Sequence, residues 1–225
     1  MATPGANTPV THLPIAPRVP TGLPKGVMIT HKNIAAMLAA YVTKNPSIPG
    51  DVIISYLPLS HMFGMDLELG CLFAGTSIGY YSGDILSIFD DIKALKPTIF
   101  PSVPRLFNKI SATLRTYSVD SKGIIGVIAR KAIKGKLKKL EKTGSVTHPI
   151  WDRLLLNKYK AFFGGRVKYF STGGAPLAKD VMDFLRVIFS VSFQEGYGQT
   201  ENTGLGAATI YGDSQSSHVG PPLVS

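Results

Sequence analysis

Apolar residues along this chain recur with two alternating periods. After Thr30, a residue type suited to capping a helix, Ile34, Met37, Leu38, Tyr41 and Val42 fall at helical spacing. Pro49-Gly50-Asp51 reads as a turn into VIISYL, a β-branched run that ends at Pro58. A short helix around Leu67 to Phe73 leads through Gly75 to the strand-like TSIGYY. Asp84 opens a helix to about Lys96, and Pro97 blocks its extension. TIF is a short strand, and Pro104 sits where a first helical turn tolerates proline, ahead of Arg105 to about Tyr117. A basic helix over roughly 122 to 142 follows, then another around Ile150 to Phe163 that Gly164-Gly165 breaks. RVKYF, the Gly173-Gly174 turn, a helix from about Ala178 to Phe189 and the strand VSF complete the pattern, and a Gly-rich loop runs to the C-terminus. Strands alternating with helices predict an α/β fold with a largely parallel sheet and flanking helices. There is no internal repeat.

Composition narrows the classes. Hydrophobic residues make up 44% of the 225 and charged residues 17%, which excludes bulk disorder. A single Cys excludes a disulfide framework and a Cys-rich zinc site, and suits a reducing, intracellular compartment. No stretch approaches the roughly 18 apolar residues of a membrane-spanning helix, and the N-terminus lacks a secretory pattern. The balance of 24 Lys+Arg against 14 Asp+Glu, net +10, admits an anionic partner: phosphorylated ligand, membrane surface or nucleic acid. Residues 1–20 hold five prolines, so they read as a flexible Pro-rich tail or as sequence foreign to the domain over 21–225.

In parallel sheets, ligands gather beyond the C-terminal strand ends. Three segments there carry suitable chemistry. TGLPKG puts two glycines around Lys25; glycines let N–H groups turn toward an anion and the ammonium supplies charge. Its order is not that of a Walker A loop, and alone it fits a plain turn equally well. STGGAP follows a strand directly, with Gly173 and Gly174 leaving the backbone open to a flat ligand; alone it also fits a tight strand-to-helix turn. EGYGQTE sets Tyr197 between two glycines, where its ring can stack on a base. Thr200 offers a hydroxyl to phosphate, and Glu201 offers hard oxygens to Mg²⁺. A surface turn around a partly buried Tyr is the other reading.

TGLPKGVMITHKN, YLPLSHMFG, STGGAPL and GYGQTEN, in that order, resemble the adenylate-forming superfamily of acyl- and aryl-CoA synthetases, luciferases and adenylation domains. DVIISYLPLSHMFGMDLELGCLFAGTSIGYYSGDILSIFDDIKALKPTIFPSVPRLFNKI and the basic insert before HPIWDRLLLNKYKAFFGGRVKYFSTGGAPL narrow the resemblance to eukaryotic-type long-chain fatty acyl-CoA synthetases. It covers about residues 21 to 222, the middle third of such an enzyme, and so implies an incomplete adenylate-forming large domain.

The resemblance implies a ligase that forms an acyl-adenylate from ATP and a long-chain fatty acid, then transfers the acyl group to CoA. It assigns Thr21, Gly22, Lys25 and Gly26 to the triphosphate loop, and Gly173, Gly174 and Ala175 to the border of adenine and acyl carboxylate. Glu195, Gly196, Tyr197 and Gly198 would hold the base, Thr200 the α-phosphate and Glu201 the Mg²⁺. Lys25, Thr200 and Glu201 are thereby the catalytic candidates, and His61 borders the acyl pocket. An isolated His61 reads equally as an ordinary, partly buried histidine.

Two departures bear on turnover. Where the family has a Thr/Ser/Gly-rich start to its phosphate loop, this chain has Pro17, Arg18, Val19 and Pro20; Pro20 has no N–H to give and Val19 resists positive φ. The chain also stops at GPPLVS, before the family's ribose-binding aspartate and adenylation lysine. Little stand-alone turnover is expected. The alternative is a non-catalytic homologue that binds nucleotide, a membrane or a paralogue. The basic helix carries eight basic residues against Glu141, with Ile124, Ile125, Val127, Ile128, Ile133, Leu137 and Leu140 as its apolar positions. It reads as a solvated helix face or as a contact with an anionic membrane, on the cytosolic face of endoplasmic reticulum or peroxisome, at about 1 kcal/mol per basic residue. No nucleic-acid motif accompanies it.

Overall fold

The computed structural model describes residues 9–10, 26–44 and 48–223. Thr21, Gly22 and Lys25 of the expected triphosphate loop, and the Pro17–Pro20 departure, lie outside the described residues. Strand β1 (Pro9–Val10) pairs antiparallel with β2 (Ile29–Thr30) in a two-stranded ribbon. A proline is tolerated at such an edge.

Helix α1 (His31–Lys44) starts at the expected cap. The Asn33 N–H donates to Thr30 Oγ1 at 3.2 Å while the Thr30 N–H donates to Asn33 Oδ1 at 3.0 Å, so each satisfies an orphan donor. Met37, Ala40 and Tyr41 face inward, whereas Val42, expected on that face, is exposed. Strand β3 (Val52–Ser55) leads to α2 (Met62–Ala74), which begins five residues before the expected start. The reason is His61: its Nδ1 accepts the Phe63 N–H at 3.1 Å and caps the helix. β4 (Ser77–Tyr80) follows, then α3 (Ile88–Leu95), preceded by a 3₁₀ turn that Asp84 caps.

Strand β5 (Ile99–Ser102) runs past Phe100 through Pro101. A central strand accepts this proline because β3 and β5 pair only through Ile53 and Ile99. Beyond that point the Tyr56 hydroxyl, rather than a backbone amide, donates to the Pro101 carbonyl at 3.1 Å. Helices α4 (Pro104–Tyr117) and α5 (Gly123–Thr143) match expectation. The next helix is broken into α6 (Pro149–Trp151), a π-turn over Asp152–Leu156, α7 (Asn157–Lys160) and a 3₁₀ turn closed by Gly164. β6 (Tyr169–Thr172) starts later than RVKYF and runs further, α8 (Lys179–Phe189) follows, and β7 (Ser192–Tyr197) and β8 (Ala207–Ala208) close the sheet.

The six strands lie in the order β4-β3-β5-β6-β7-β8, all parallel except β8. The α/β fold with a mostly parallel sheet is as expected. Side-chain alternation gives the sheet two different faces. Phe100, Phe170 and Phe193 enter an aromatic core with Phe107, Phe163 and Phe189, where rings pack tilted or edge-on, as Phe107 and Phe193 do at 4.9 Å. Ile99, Tyr169, Ser171 and Gln194 point the other way.

Two buried cations pin the α5 and α8 side. Arg186, fully buried on α8, donates to the carbonyls of Asp213, Ser214 and Gln215 and to Ser216 Oγ, fastening the C-terminal loop. On α5 the buried stripe is Gly126, Ala129, Ala132, Ile133, Lys136 and Leu140. Lys136, expected on a basic face, is fully buried against Asp152 at 2.5 Å and Ser190 Oγ at 2.7 Å. Burial draws its ammonium down, and Asp152 opposes that. Ile124, Ile125, Val127 and Ile128 stand outside, 39% to 78% exposed.

Lys136→Ala leaves the largely buried Asp152 carboxylate without its counter-charge and is expected to cost about 3–5 kcal/mol in urea unfolding. Lys136→Met combined with Asp152→Leu recovers most of that loss. A double variant no better than the single one contradicts the pairing.

Candidate functional site

Where β6 and β7 end, the chain changes direction twice with almost no side-chain bulk. Thr172 pairs with Glu195 across the two strands, and Gly173 and Gly196 follow on each. A Cβ on Gly173 would stand 3.4 Å from the Gly196 carbonyl oxygen, an ordinary van der Waals contact, so the two backbones run side by side within reach of each other. Gly174 follows at φ +82°, a conformation that favours glycine. Gly198 is tighter still: a Cβ there would overlap the Gly204 carbonyl oxygen at 1.2 Å. Gln199 and Asn202 cap a 3₁₀ turn over Thr200–Asn202, and Thr203 leaves it at φ 60°.

These turns roof a cavity of about 260 Å³ on the non-aromatic face of the sheet. Gly173, Gly174, Gly196, Gly198 and Thr200 line it, and so does His61 from the start of α2. The structure therefore brings six of the expected site residues to one hollow. Tyr197 stands at the end of β7 with half its surface exposed, Glu201 is exposed on the adjoining turn and Ala175 is exposed after Gly174. Gly26, exposed ahead of β2, is not among the lining residues. Thr21, Gly22 and Lys25 are outside the described residues.

Two expectations are corrected here. EGY is strand rather than loop: β7 extends through Tyr197 because β8 pairs with its end, Gly196 with Ala208 and Tyr197 with Ala207. Glu195 is 4% exposed, its carboxylate accepting the Leu177 N–H at 3.0 Å while its own N–H and C=O bond Thr209. Its carboxylate ties the two glycine segments together. His61, similarly, spends Nδ1 on the helix cap and brings the rest of its ring to the cavity.

Asp66 was missed altogether. It lines the cavity from α2, 4% exposed, with no hydrogen-bond partner at Oδ1, and burial pushes its carboxyl up to about 8. Periodicity places it within a mostly apolar helix, and its charge conceals that position. Cys71, also buried on α2, has its thiol pushed up to about 11 by burial, so it is a packing residue rather than a nucleophile. Among the described residues, no group of three or more His, Cys, Asp and Glu side chains could hold a metal ion by itself. An exposed single carboxylate such as Glu201 suits a Mg²⁺ shared with phosphates, since that ion keeps several waters and takes one or two protein carboxylates.

Residues 20–225 match the AMP-binding enzyme family. The chain is 41% identical over 202 residues to long chain acyl-CoA synthetase 7, peroxisomal, of Arabidopsis thaliana, and 40% identical over 217 residues to long-chain-fatty-acid–CoA ligase 1 of Homo sapiens. Each match covers 90% of this chain and 29% of the relative, so the chain spans under a third of their length. The N-terminal domain of FACL13 from Mycobacterium tuberculosis shares the fold at a TM-score of 0.64 and 17% identity, over 93% of this chain and 42% of that one.

Gly198→Ala is expected to disrupt the turn and lower the melting temperature by several degrees; unchanged melting contradicts the close approach. The Asp66 carboxyl also has a pH signature. An unfolded Asp ionises near pH 4 whereas the folded one holds its proton to about pH 8, so its contribution to stability falls as pH rises between them, by at most ~1.4 kcal/mol per pH unit. Urea unfolding across that range should show a shallower fall for Asp66→Asn than for wild type; parallel curves contradict the shift.

Proposed function

The chain belongs to the AMP-binding enzyme family, and from that premise we propose that its cavity holds an adenylate and an acyl chain in a long-chain fatty acid–CoA ligase reaction. The observation that carries this reading is the side-by-side course of the Gly173 and Gly196 backbones over the cavity that His61 and Thr200 also line. Gly173, Gly174 and Ala175 border the adenine and the acyl carboxylate, and Gly196, Tyr197 and Gly198 hold the base, with the exposed Tyr197 ring stacked on it. Thr200 contacts the α-phosphate.

The chemistry sets the demands. A fatty acid carboxylate attacks the α-phosphate, pyrophosphate leaves, and the CoA thiol then displaces AMP from the acyl-adenylate. Two anions must meet, so cations and fixed donors have to offset their repulsion. Mg²⁺, when bound, neutralises phosphate charge, and Glu201 is the carboxylate that would hold it. Thr21, Gly22, Lys25 and Gly26 form the triphosphate loop, with Lys25 supplying its charge. Fixing carboxylate and phosphate in line removes up to roughly 7–11 kcal/mol of entropic barrier in favourable cases. His61, Met62 and Phe63 border the acyl chain.

The four exposed aliphatic residues in the first turns of α5 sit among Lys122, Arg130, Lys131 and Lys134, all exposed. We propose that this end of α5 rests on an anionic membrane, in keeping with a peroxisomal or reticular surface where fatty acids partition. No helix among the described residues is long and apolar enough to cross a membrane.

Titration calorimetry with AMP tests the nucleotide reading. Tyr197→Ala should weaken AMP binding about tenfold or more, the worth of one stacked base. Glu201→Ala should abolish the Mg²⁺ dependence of ATP binding while leaving AMP affinity nearly unchanged. Wild-type chain that binds neither nucleotide contradicts the reading. Co-sedimentation with anionic vesicles should fall to the level of neutral ones for Lys131→Glu/Lys134→Glu; equal binding to both vesicles by wild type contradicts the membrane contact.

A further inference from the structure

The cavity has a floor as well as a roof. His61 caps α2 at the exposed mouth, and Gly70 lies nine residues further along the helix, about 13 Å down its axis. On the sheet side, Gly173 and Tyr169 stand four residues apart on extended chain, again about 13 Å. Ile99 pairs with Tyr169 and so lies at the same depth. Tyr41, Leu67, Ile99 and Tyr169 line this end and all four are buried, so it is closed to solvent.

Two tyrosines close it. Tyr169 is rooted in β6 and meets the Tyr211 ring edge-on, with the centroids 5.6 Å apart. Tyr41 reaches in from α1. A Cβ on Gly70 would lie 2.6 Å from two of the Tyr41 ring carbons, so the ring is seated on the bare backbone of α2. Its hydroxyl stands 3.8 Å from Sγ of Cys71, the next residue of that helix. Glycine weakens a helix interior relative to alanine, and here the missing Cβ is what makes room for the ring.

An extended alkyl chain advances about 1.3 Å per carbon, since its C–C bonds are about 1.5 Å long and meet at tetrahedral angles. A carboxylate at the glycine turns therefore brings its tail to the tyrosines after about ten carbons. Each methylene buried on the way strengthens binding about fourfold. A carbon beyond the floor gains nothing of that kind unless Tyr41 leaves Gly70.

We propose that Tyr41, seated on Gly70, is a specificity-determining residue that sets the length of acyl chain the pocket buries, at about ten carbons. This rests on the acyl-pocket reading above and deepens it. Tyr41 meets the far end of the tail and takes no part in activating the carboxylate.

Titration calorimetry of the purified chain with straight-chain acids from hexanoic to hexadecanoic tests it. Wild-type affinity should rise about fourfold per added carbon up to about ten carbons and then stay level. Tyr41→Leu should move that break to longer acids and Tyr41→Ala should move it further, whereas Tyr41→Phe keeps the ring and should leave it in place. Gly70→Ala pushes the ring into the cavity and should move the break to shorter acids. Adding Tyr41→Leu to Gly70→Ala relieves the clash and should restore at least the wild-type length. Affinity that keeps rising from decanoic to hexadecanoic acid in wild type overturns the proposal and leaves the acyl pocket standing. So does a break at one length in wild type, Tyr41→Leu and Tyr41→Ala. Binding of AMP without binding of any of these acids overturns the acyl-pocket reading itself, and this assignment with it.

Discussion

The close approach of two backbones at the ends of β6 and β7 is the constraint on which the site depends. Parallel pairing through Thr172 and Glu195 brings Gly173 and Gly196 together, so that a Cβ on Gly173 would touch the Gly196 carbonyl oxygen. The Glu195 carboxylate, accepting the Leu177 N–H, then ties the two segments together, while the Glu195 N–H and C=O bond the Thr209 hydroxyl and N–H beyond β8. The cavity's lining follows from that: peptide groups of Gly173, Gly174, Gly196 and Gly198, and a capped turn that brings Thr200 to it. The aromatic core on the opposite face keeps this edge rigid, because Phe170 and Phe193 sit on the same two strands that carry the glycines.

Much of this was legible in the sequence because it depends on local chemistry. Gly174 marks a positive-φ turn and Gly198 a place where a side chain is excluded, and Thr30, Asp84 and Pro104 mark helix starts through capping and missing donors. Other features resist such reading. His61 lengthens α2 by capping it, and a histidine is not a common cap. β7 absorbs Glu195, Gly196 and Tyr197 because β8 returns to pair with them, and that partner is distant in sequence. Pro101 belongs to a central strand only because β3 and β5 have already parted there. Lys136 and Asp66 share one difficulty. A charged residue in an amphipathic pattern is read as exposed, and only tertiary packing shows one to be paired with Asp152 and the other to face a cavity.

The two buried groups also illustrate different solutions to the cost of hiding charge. Lys136 keeps a partner within hydrogen-bonding distance and serves to dock α5 on the segment that follows it. Asp66 has no such partner at Oδ1 and keeps its proton. The first arrangement contributes to the fold alone. The second leaves an oxygen buried without a partner and avoids the charge instead of pairing it.

The most direct test of the central claim is a map of amide chemical-shift changes on adding AMP to isotopically labelled chain. The account predicts saturable changes concentrated at Gly173, Gly174, Gly196, Tyr197, Gly198 and Thr200, with Phe100, Phe107 and Ile188 on the opposite face unmoved. Saturable changes confined to residues away from the two glycine turns would contradict it.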